Sequence, residues 1–368
     1  MMASDAIHEL GILLRPAGAG LHLVSTGREA QQALQRRLYG VEASSEAESQ
    51  IRARFEANLR RIEEARVVVL GVPSDVGAGF RRGANLGPGA LRTALLEHDP
   101  DALTQDGVVD LGDVFVVPQL LHDDMLSTAQ SEASRRALYG DARAAWPVSP
   151  LSIEERALDL ILSIAPHAKP LVLGGDHSCA WPVAAALHRA GKRFAIVQPD
   201  AHTDLLEERL GVKYCFATWS FHANELMGRG GKLVQVGTRA SGKSKAHWEG
   251  TLGVRQYWAD ECNADPEAAL ASILAHVEGL GVEGVYFSND IDGTDEAFAD
   301  ATGTPEPRGL HPDFVDALIT RLGEGPGLLA ADLMEVAPSV SSKSGSADIT
   351  LETSVRYLKS TLRALLRG

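Results

Sequence analysis

Three cysteines, Cys179, Cys215 and Cys262, are too few and too widely spaced for a disulfide framework, and no two lie close enough to form a thiolate metal site. A reducing compartment, the cytoplasm, is the expectation. Aromatic residues make up only 5% of the chain, while Ala, Gly and Leu are plentiful. That balance favours helices packed on a sheet over an all-β sandwich. No stretch approaches about 20 uncharged apolar residues, so no membrane span is expected. The opening MMASDAIHELGILLRP lacks a basic segment followed by an apolar run, which argues against a secretory signal. Positive charge is in deficit, with 35 Lys and Arg against 49 Asp and Glu, a net charge of -14. Such a surface repels phosphate backbones and makes nucleic acid a poor partner. It draws in cations, although the same acidity also serves simple solubility.

What is present is ordinary globular material. The 45% hydrophobic content of the 368 residues can fill a real core. Residues 27–65 are rich in Glu, Arg, Ala and Leu without proline, and read as two helices broken near Gly40. Residues 1–65 are therefore expected to form an N-terminal helical extension, and 66–368 the main domain. From residue 66 the pattern changes. Short apolar runs at 67–72, 170–174, 194–198, 233–236, 284–287 and 327–331 alternate with helical patterns such as 153–164, 182–190 and 266–280. Alternation of this kind predicts βα units and a parallel sheet with both faces covered. The serine-rich stretch 339–346 reads as a loop.

Three of the apolar runs end in the same chemistry. One leads to Asp176 and His177, a second to Asp200-Ala201-His202-Thr203-Asp204, a third to Ser288-Asn289-Asp290-Ile291-Asp292. Ligands of open parallel sheets bind beyond the carboxyl ends of the strands. Alternate residues of an extended segment point to one side, so Asp200, His202 and Asp204 can reach one site, as can Asp290 and Asp292. Two imidazoles and four carboxylates exceed what one small cation needs and suit two divalent ions sharing bridging carboxylates. A donor set rich in oxygen and free of thiolate favours Mn2+ over Zn2+. A single Asp-x-Asp or a lone His would be read as a turn or cap; three such clusters, each after an apolar strand, are not.

Gly174-Gly175-Asp176-His177-Ser178, Asp200-Ala201-His202-Thr203-Asp204 and Ser288-Asn289-Asp290-Ile291-Asp292-Gly293 resemble, in this order, the three signatures of the ureohydrolase family of arginases, agmatinases and formiminoglutamases. Supporting similarity lies at Gly71-Val72-Pro73, Arg82-Gly83-Ala84, Asp110-Leu111-Gly112-Asp113-Val114, Thr302-Gly303-Thr304 and Asp332-Leu333-Met334-Glu335-Val336, so the likeness runs from about residue 66 to the C-terminus. The resemblance implies a three-layer αβα fold with a central, mostly parallel sheet. It implies two Mn2+ per subunit, one held by His177, Asp200, Asp204 and Asp290, the other by His202, Asp200, Asp290 and Asp292. It further implies a water activated between the ions, Asp204 accepting its hydrogen bond, and Glu335 pairing with a guanidinium. The products would be an amine and urea, and the assembly a trimer or hexamer.

The sequence departs from the family at one point. The His that shuttles protons in arginases and agmatinases aligns with Phe216, and Phe cannot carry a proton. His222, six residues on, is the candidate replacement, and Trp219 with Phe221 the candidate wall of the substrate site. Glu207, Glu208 and Arg209 occupy the loop with which arginases grip the substrate's head. Formiminoglutamase-like members also lack the shuttle His, so release of formamide from a formimino compound is the alternative reaction. A one-zinc deacetylase on a related fold would need fewer ligands than the six present. A non-catalytic paralogue would be expected to have lost some of them.

Overall fold

The computed structural model describes residues 3–21, 26–341 and 345–367. Nine strands make one sheet: β1 (Leu14–Arg15), β2 (Val67–Gly71), β3 (Val108–Val114), β4 (Lys169–Leu173), β5 (Phe194–Pro199), β6 (Leu233–Thr238), β7 (Arg255–Trp258), β8 (Gly284–Asp290) and β9 (Leu328–Met334). Their order across the sheet is β1-β3-β2-β4-β9-β8-β5-β6-β7. Every pair is parallel except the edge pair β1 with β3. Strands β2, β5, β6 and β8 are buried along their whole length, as near-continuous apolar runs require when helices cover both faces. The helices Ala3–Leu13, Pro150–Ile164, Ala180–Arg189 and Trp219–Leu226 pack in one series. Gly87–His98, Ser346–Leu366, Pro312–Glu324 and Pro266–Gly279 pack in another. The expected three-layer αβα fold is what the chain adopts. No helix of the described residues is long and apolar enough to cross a membrane.

The six apolar runs became β2, β4, β5, β6, β8 and β9. The 27–65 stretch contains helices Arg28–Tyr39 and Ala47–Arg60, parted at Gly40 with φ 61°. Leu10, Leu13, Leu14 and Phe55 from the first 65 residues are buried in the same hydrophobic core as the sheet. Of the loop expected at 339–346, residues 342–344 lie outside the described ones. Two glycines set the chain's path at the end of β4. A Cβ on Gly175 would lie 1.7 Å from the Ser74 carbonyl oxygen, and one on Gly174 would lie 1.8 Å from the Met334 sulfur. At Gly175 only glycine lets the two backbones approach so closely.

Strand β3 was not anticipated, because Asp110, Gly112 and Asp113 interrupt its apolar pattern. The structure shows why they are tolerated. The fully buried Arg92 guanidinium gives Nε to Asp110 Oδ2 at 2.8 Å and its two other nitrogens to Asp113 Oδ1 at 2.6 Å and Asp110 Oδ1 at 3.1 Å. Removing one partner of a buried ion pair leaves the rest uncompensated. Arg92→Ala is therefore expected to destabilise the fold by about 3–5 kcal/mol, measured by denaturant unfolding. A loss below about 1 kcal/mol would contradict this account of β3.

Candidate metal centre

Four adjacent strands converge on the site. β4 ends three residues before Asp176, β5 runs into Asp200, β8 ends on Asp290, and β9 leads directly to Glu335. Asp176 caps the short turn His177–Cys179, its carboxylate accepting from Ser178 N at 2.9 Å, and thereby fixes where His177 points.

The structure brings all six candidate ligands together. His177 Nδ1 lies 3.2 Å from Asp200 Oδ2, 3.4 Å from Asp204 Oδ2 and 3.0 Å from Asp290 Oδ2. His202 Nδ1 lies 3.6 Å from Asp200 Oδ1 and 3.1 Å from Asp292 Oδ2. Two triads result, His177-Asp200-Asp290 and Asp200-His202-Asp292, with ligand atoms within 4.8 Å of one another in each. Asp200 is common to both, one oxygen facing each histidine.

The chemistry of this cluster asks for cations. His177 Nδ1 is fully buried and makes no hydrogen bond of acceptable geometry despite its three carboxylate neighbours. A buried ring nitrogen without a partner is rare and calls for a ligand. Burial, followed by the charge of Asp200, pushes the Asp204 carboxyl up to about 7. Burial and the charges of Asp292 and Asp200 raise Asp290 far above the usual carboxylate range. Burial pulls the His202 imidazole down, but Asp292 and Asp200 outweigh it and push it up to about 12. Carboxylates crowded in a dry pocket repel one another unless positive charge sits among them. The donor set therefore fits a pair of divalent ions.

A surrounding shell holds these groups in place. His177 Nε2 lies 3.0 Å from Ser288 Oγ, which donates to Asp332 Oδ1 at 3.2 Å. Thr304 Oγ1 donates to Asp292 Oδ2 at 3.1 Å. Arg239 gives its guanidinium to the carbonyls of Asp292, Gly293, Thr294, Glu306 and Pro307 at 2.7–3.2 Å, tying the Asp292 turn to the loop that brings Glu306 3.8 Å from His202 Nε2. Glu335 is buried, and its Oε1 accepts from His177 N at 3.0 Å. Burial, then the charges of Asp290 and Asp176, raise its carboxyl well above the ordinary range. Asp204 and Glu335 are two of only five non-glycine residues with left-handed backbone among the described ones, φ 52° and 62°. Such strain gathers at functional sites.

Two sequence expectations meet a different geometry. Trp219 is fully buried, and its indole Nε1 donates to Asp204 Oδ2 at 3.0 Å, so it props a carboxylate and offers no open wall. His222 does not join the cluster. Its Nε2 lies 3.0 Å from the Lys213 carbonyl oxygen, and its ring packs among Tyr214, Trp181 and Phe221. Helical spacing from Trp219 gave no warning of this, because two of the three aromatic neighbours, Trp181 and Tyr214, lie outside this helix. Phe216 is linked to the site through its backbone. Its amide donates to the Gly77 carbonyl at 3.1 Å, and Gly77 N donates to Asp176 beside His177. The sequence reading also passed over Gln198, Gln235, Gln256 and Arg239; glutamines inside apolar strands were the available signal.

The model of the Arginase family matches residues 65–362. The chain belongs to the arginase family. Guanidinobutyrase of Pseudomonas aeruginosa is 32% identical over 282 residues, covering 73% of this chain and 78% of that protein. The mitochondrial agmatinase of Gallus gallus is 32% identical and covers 73% of each. Among solved structures, proclavaminate amidino hydrolase from Streptomyces clavuligerus superposes with TM-score 0.61 at 28% identity, covering 81% of this chain and 92% of that one. As a member of this family, the chain is a hydrolase acting on C–N bonds of linear amidines.

Proposed function

We propose that this arginase-family member hydrolyses a guanidino compound to an amine and urea, using two Mn2+ ions held by His177, Asp200, Asp204, Asp290, His202 and Asp292. The observation that carries the reading is the pair of triads sharing the buried Asp200. Two such ions supply electrophilic polarisation and a lowered pKa for water, and the oxygen-rich donor set favours Mn2+. The protein's own groups do the rest. Glu335, with Oε1 tied to the His177 amide, keeps Oε2 for the guanidinium N–H groups, a charge-assisted bond strengthened by burial. Trp219 fixes Asp204 Oδ2, so Oδ1 is free to take the proton of the attacking water.

A cavity of about 450 Å³ is lined by Phe216 and by Gly77, whose amide donates to Asp176 beside His177. Arg82 and Arg209 line it together with apolar side chains, and the Arg209 guanidinium lies over the Phe216 ring at 5.0 Å. Neither arginine has a carboxylate partner among the described ion pairs. Two cations beside an apolar wall favour a substrate tail that ends in a carboxylate over one that ends in an ammonium. The test is product release by Mn2+-loaded protein from 4-guanidinobutyrate, 3-guanidinopropionate, agmatine, arginine, guanidine and formiminoglutamate. Urea is expected from the carboxylate-tailed guanidines, with kcat/KM at least about 10-fold above that for agmatine, a difference of about 1.4 kcal/mol. Formamide alone would move the chain to the formimino reaction. Faster turnover of agmatine would remove the role given to Arg82 and Arg209.

A further inference from the structure

Three glutamines stand side by side inside the sheet. Gln198 of β5 is registered against Gln235 of β6, and Gln235 against Gln256 of β7. All three are fully buried. Their side chains form one continuous row of hydrogen bonds. Trp258 Nε1 donates to Gln256 Oε1 at 3.0 Å, and Gln256 Nε2 to Gln235 Oε1 at 2.8 Å. Gln235 Nε2 donates to Gln198 Oε1 at 3.0 Å, and Gln198 Nε2 to Asp200 Oδ2 at 2.7 Å.

The direction of the row is fixed at both ends. An indole N–H can only donate, and an ionised carboxylate can only accept. Flipping any one amide would set donor against donor and acceptor against acceptor. Side branches agree with this direction, since Ser220 Oγ donates to Gln198 Oε1 at 2.9 Å and Gln235 Nε2 also reaches the Thr203 carbonyl.

We infer that this amide row is a positioning device for Asp200, which sets how tightly the site takes up divalent cations; the inference rests on the metal-centre reading above. Asp200 serves both triads only while its two oxygens face different histidines, Oδ2 toward His177 and Oδ1 toward His202. The bond from Gln198 to Oδ2, opposed by one from His202 N to Oδ1 at 2.7 Å, fixes that rotation. Amides aligned head to tail also polarise one another, so the donor at the end of the row is stronger than an isolated one. A row needed only for packing would be apolar, because each buried amide must be paired to avoid a desolvation penalty. Here the pairing ends on the shared carboxylate.

The experiment compares Mn2+ affinity of metal-free wild type, Gln198→Leu and Gln256→Leu by calorimetry, alongside each protein's metal-free thermal midpoint. Gln198→Leu breaks the last bond and is expected to weaken Mn2+ binding about 10–100-fold. Gln256→Leu touches no candidate ligand and is expected to weaken it about threefold, since polarisation fades along the row. A merely structural row would lower both thermal midpoints and leave the affinity of the folded protein alone. That pattern, or Gln198→Leu binding Mn2+ within twofold of wild type, overturns the proposal. A wild type that takes up no divalent ion overturns it together with the metal-centre reading. Mn2+ uptake that follows the expected order, with no urea from any guanidine, supports the row and ends the guanidine-to-urea reading alone.

Discussion

Asp200→Ala is expected to lower urea release by at least about 10³-fold, equivalent to about 4 kcal/mol of transition-state stabilisation. Asp200 is the one carboxylate present in both triads, so its loss weakens both cation sites together. Polarisation by bound metal is worth several kcal/mol, and it disappears with the ions. The cluster holds four carboxylates, and the Asp200 charge is among the causes that raise Asp204 and Asp290. Burial pushes the Asp200 carboxyl up, but His177 and His202 outweigh it and hold it well below the usual carboxylate range, so deleting Asp200 removes attraction as well as repulsion. The bonds from Gln198 and His202 N go with it. Some fall in the metal-free thermal midpoint is therefore expected, and the deciding readout, taken on folded protein, is bound metal falling below one ion per chain by elemental analysis. A variant that keeps two ions, or a rate within tenfold of wild type, would sink the shared-carboxylate reading.

The legible part of this protein was its periodicity and its strand ends. Continuous apolar runs located β2, β4, β5, β6, β8 and β9, because strands covered on both faces have no polar side to hide them. The ligand cluster was legible for a related reason: spacing of two along an extended segment places side chains together whatever the tertiary detail. What stayed hidden depends on partners distant in sequence. β3 looks too polar for a buried strand until Arg92 is seen to pair with Asp110 and Asp113. β7, the short edge strand RQYW, is half-exposed at both ends and carries no apolar run, unlike the inner strands. Trp219 and His222 lie one helical turn apart and carry similar sequence credentials. Only packing separates them: the indole meets Asp204, while the imidazole is taken up by the Lys213 carbonyl and three aromatic rings. The glutamines were visible one by one, but strand order is what makes them a row.

Chelation is expected to abolish urea release and to open a stability gap that widens with pH. The sign follows from the raised carboxyls. In the metal-free fold Asp204 titrates near 7 and Asp290 is raised well above the ordinary value. A carboxyl raised on folding contributes its full stability below its unfolded value, near 4, and loses that contribution as pH rises through the folded value. His202, pushed up to about 12, has the same sign over a window that begins near 6.5. Metal-free protein should thus weaken steadily from about pH 5 to about pH 8. Bound divalent ions reverse the sense, because they need the carboxylates ionised and the imidazoles neutral, and protons compete with them. At a free Mn2+ concentration about 100 times Kd, binding adds about 2.7 kcal/mol, which corresponds to roughly 3–4 °C in a chain of this size. The difference in midpoint between loaded and chelated protein should therefore be near zero at about pH 5 and reach roughly 3–4 °C or more at about pH 8. Scanning calorimetry across that range provides the measurement, and metal uptake at about pH 7 should release protons to the buffer. A gap independent of pH, or chelated protein that still turns over substrate at the loaded rate, would mean that these six residues hold one another and not a pair of ions.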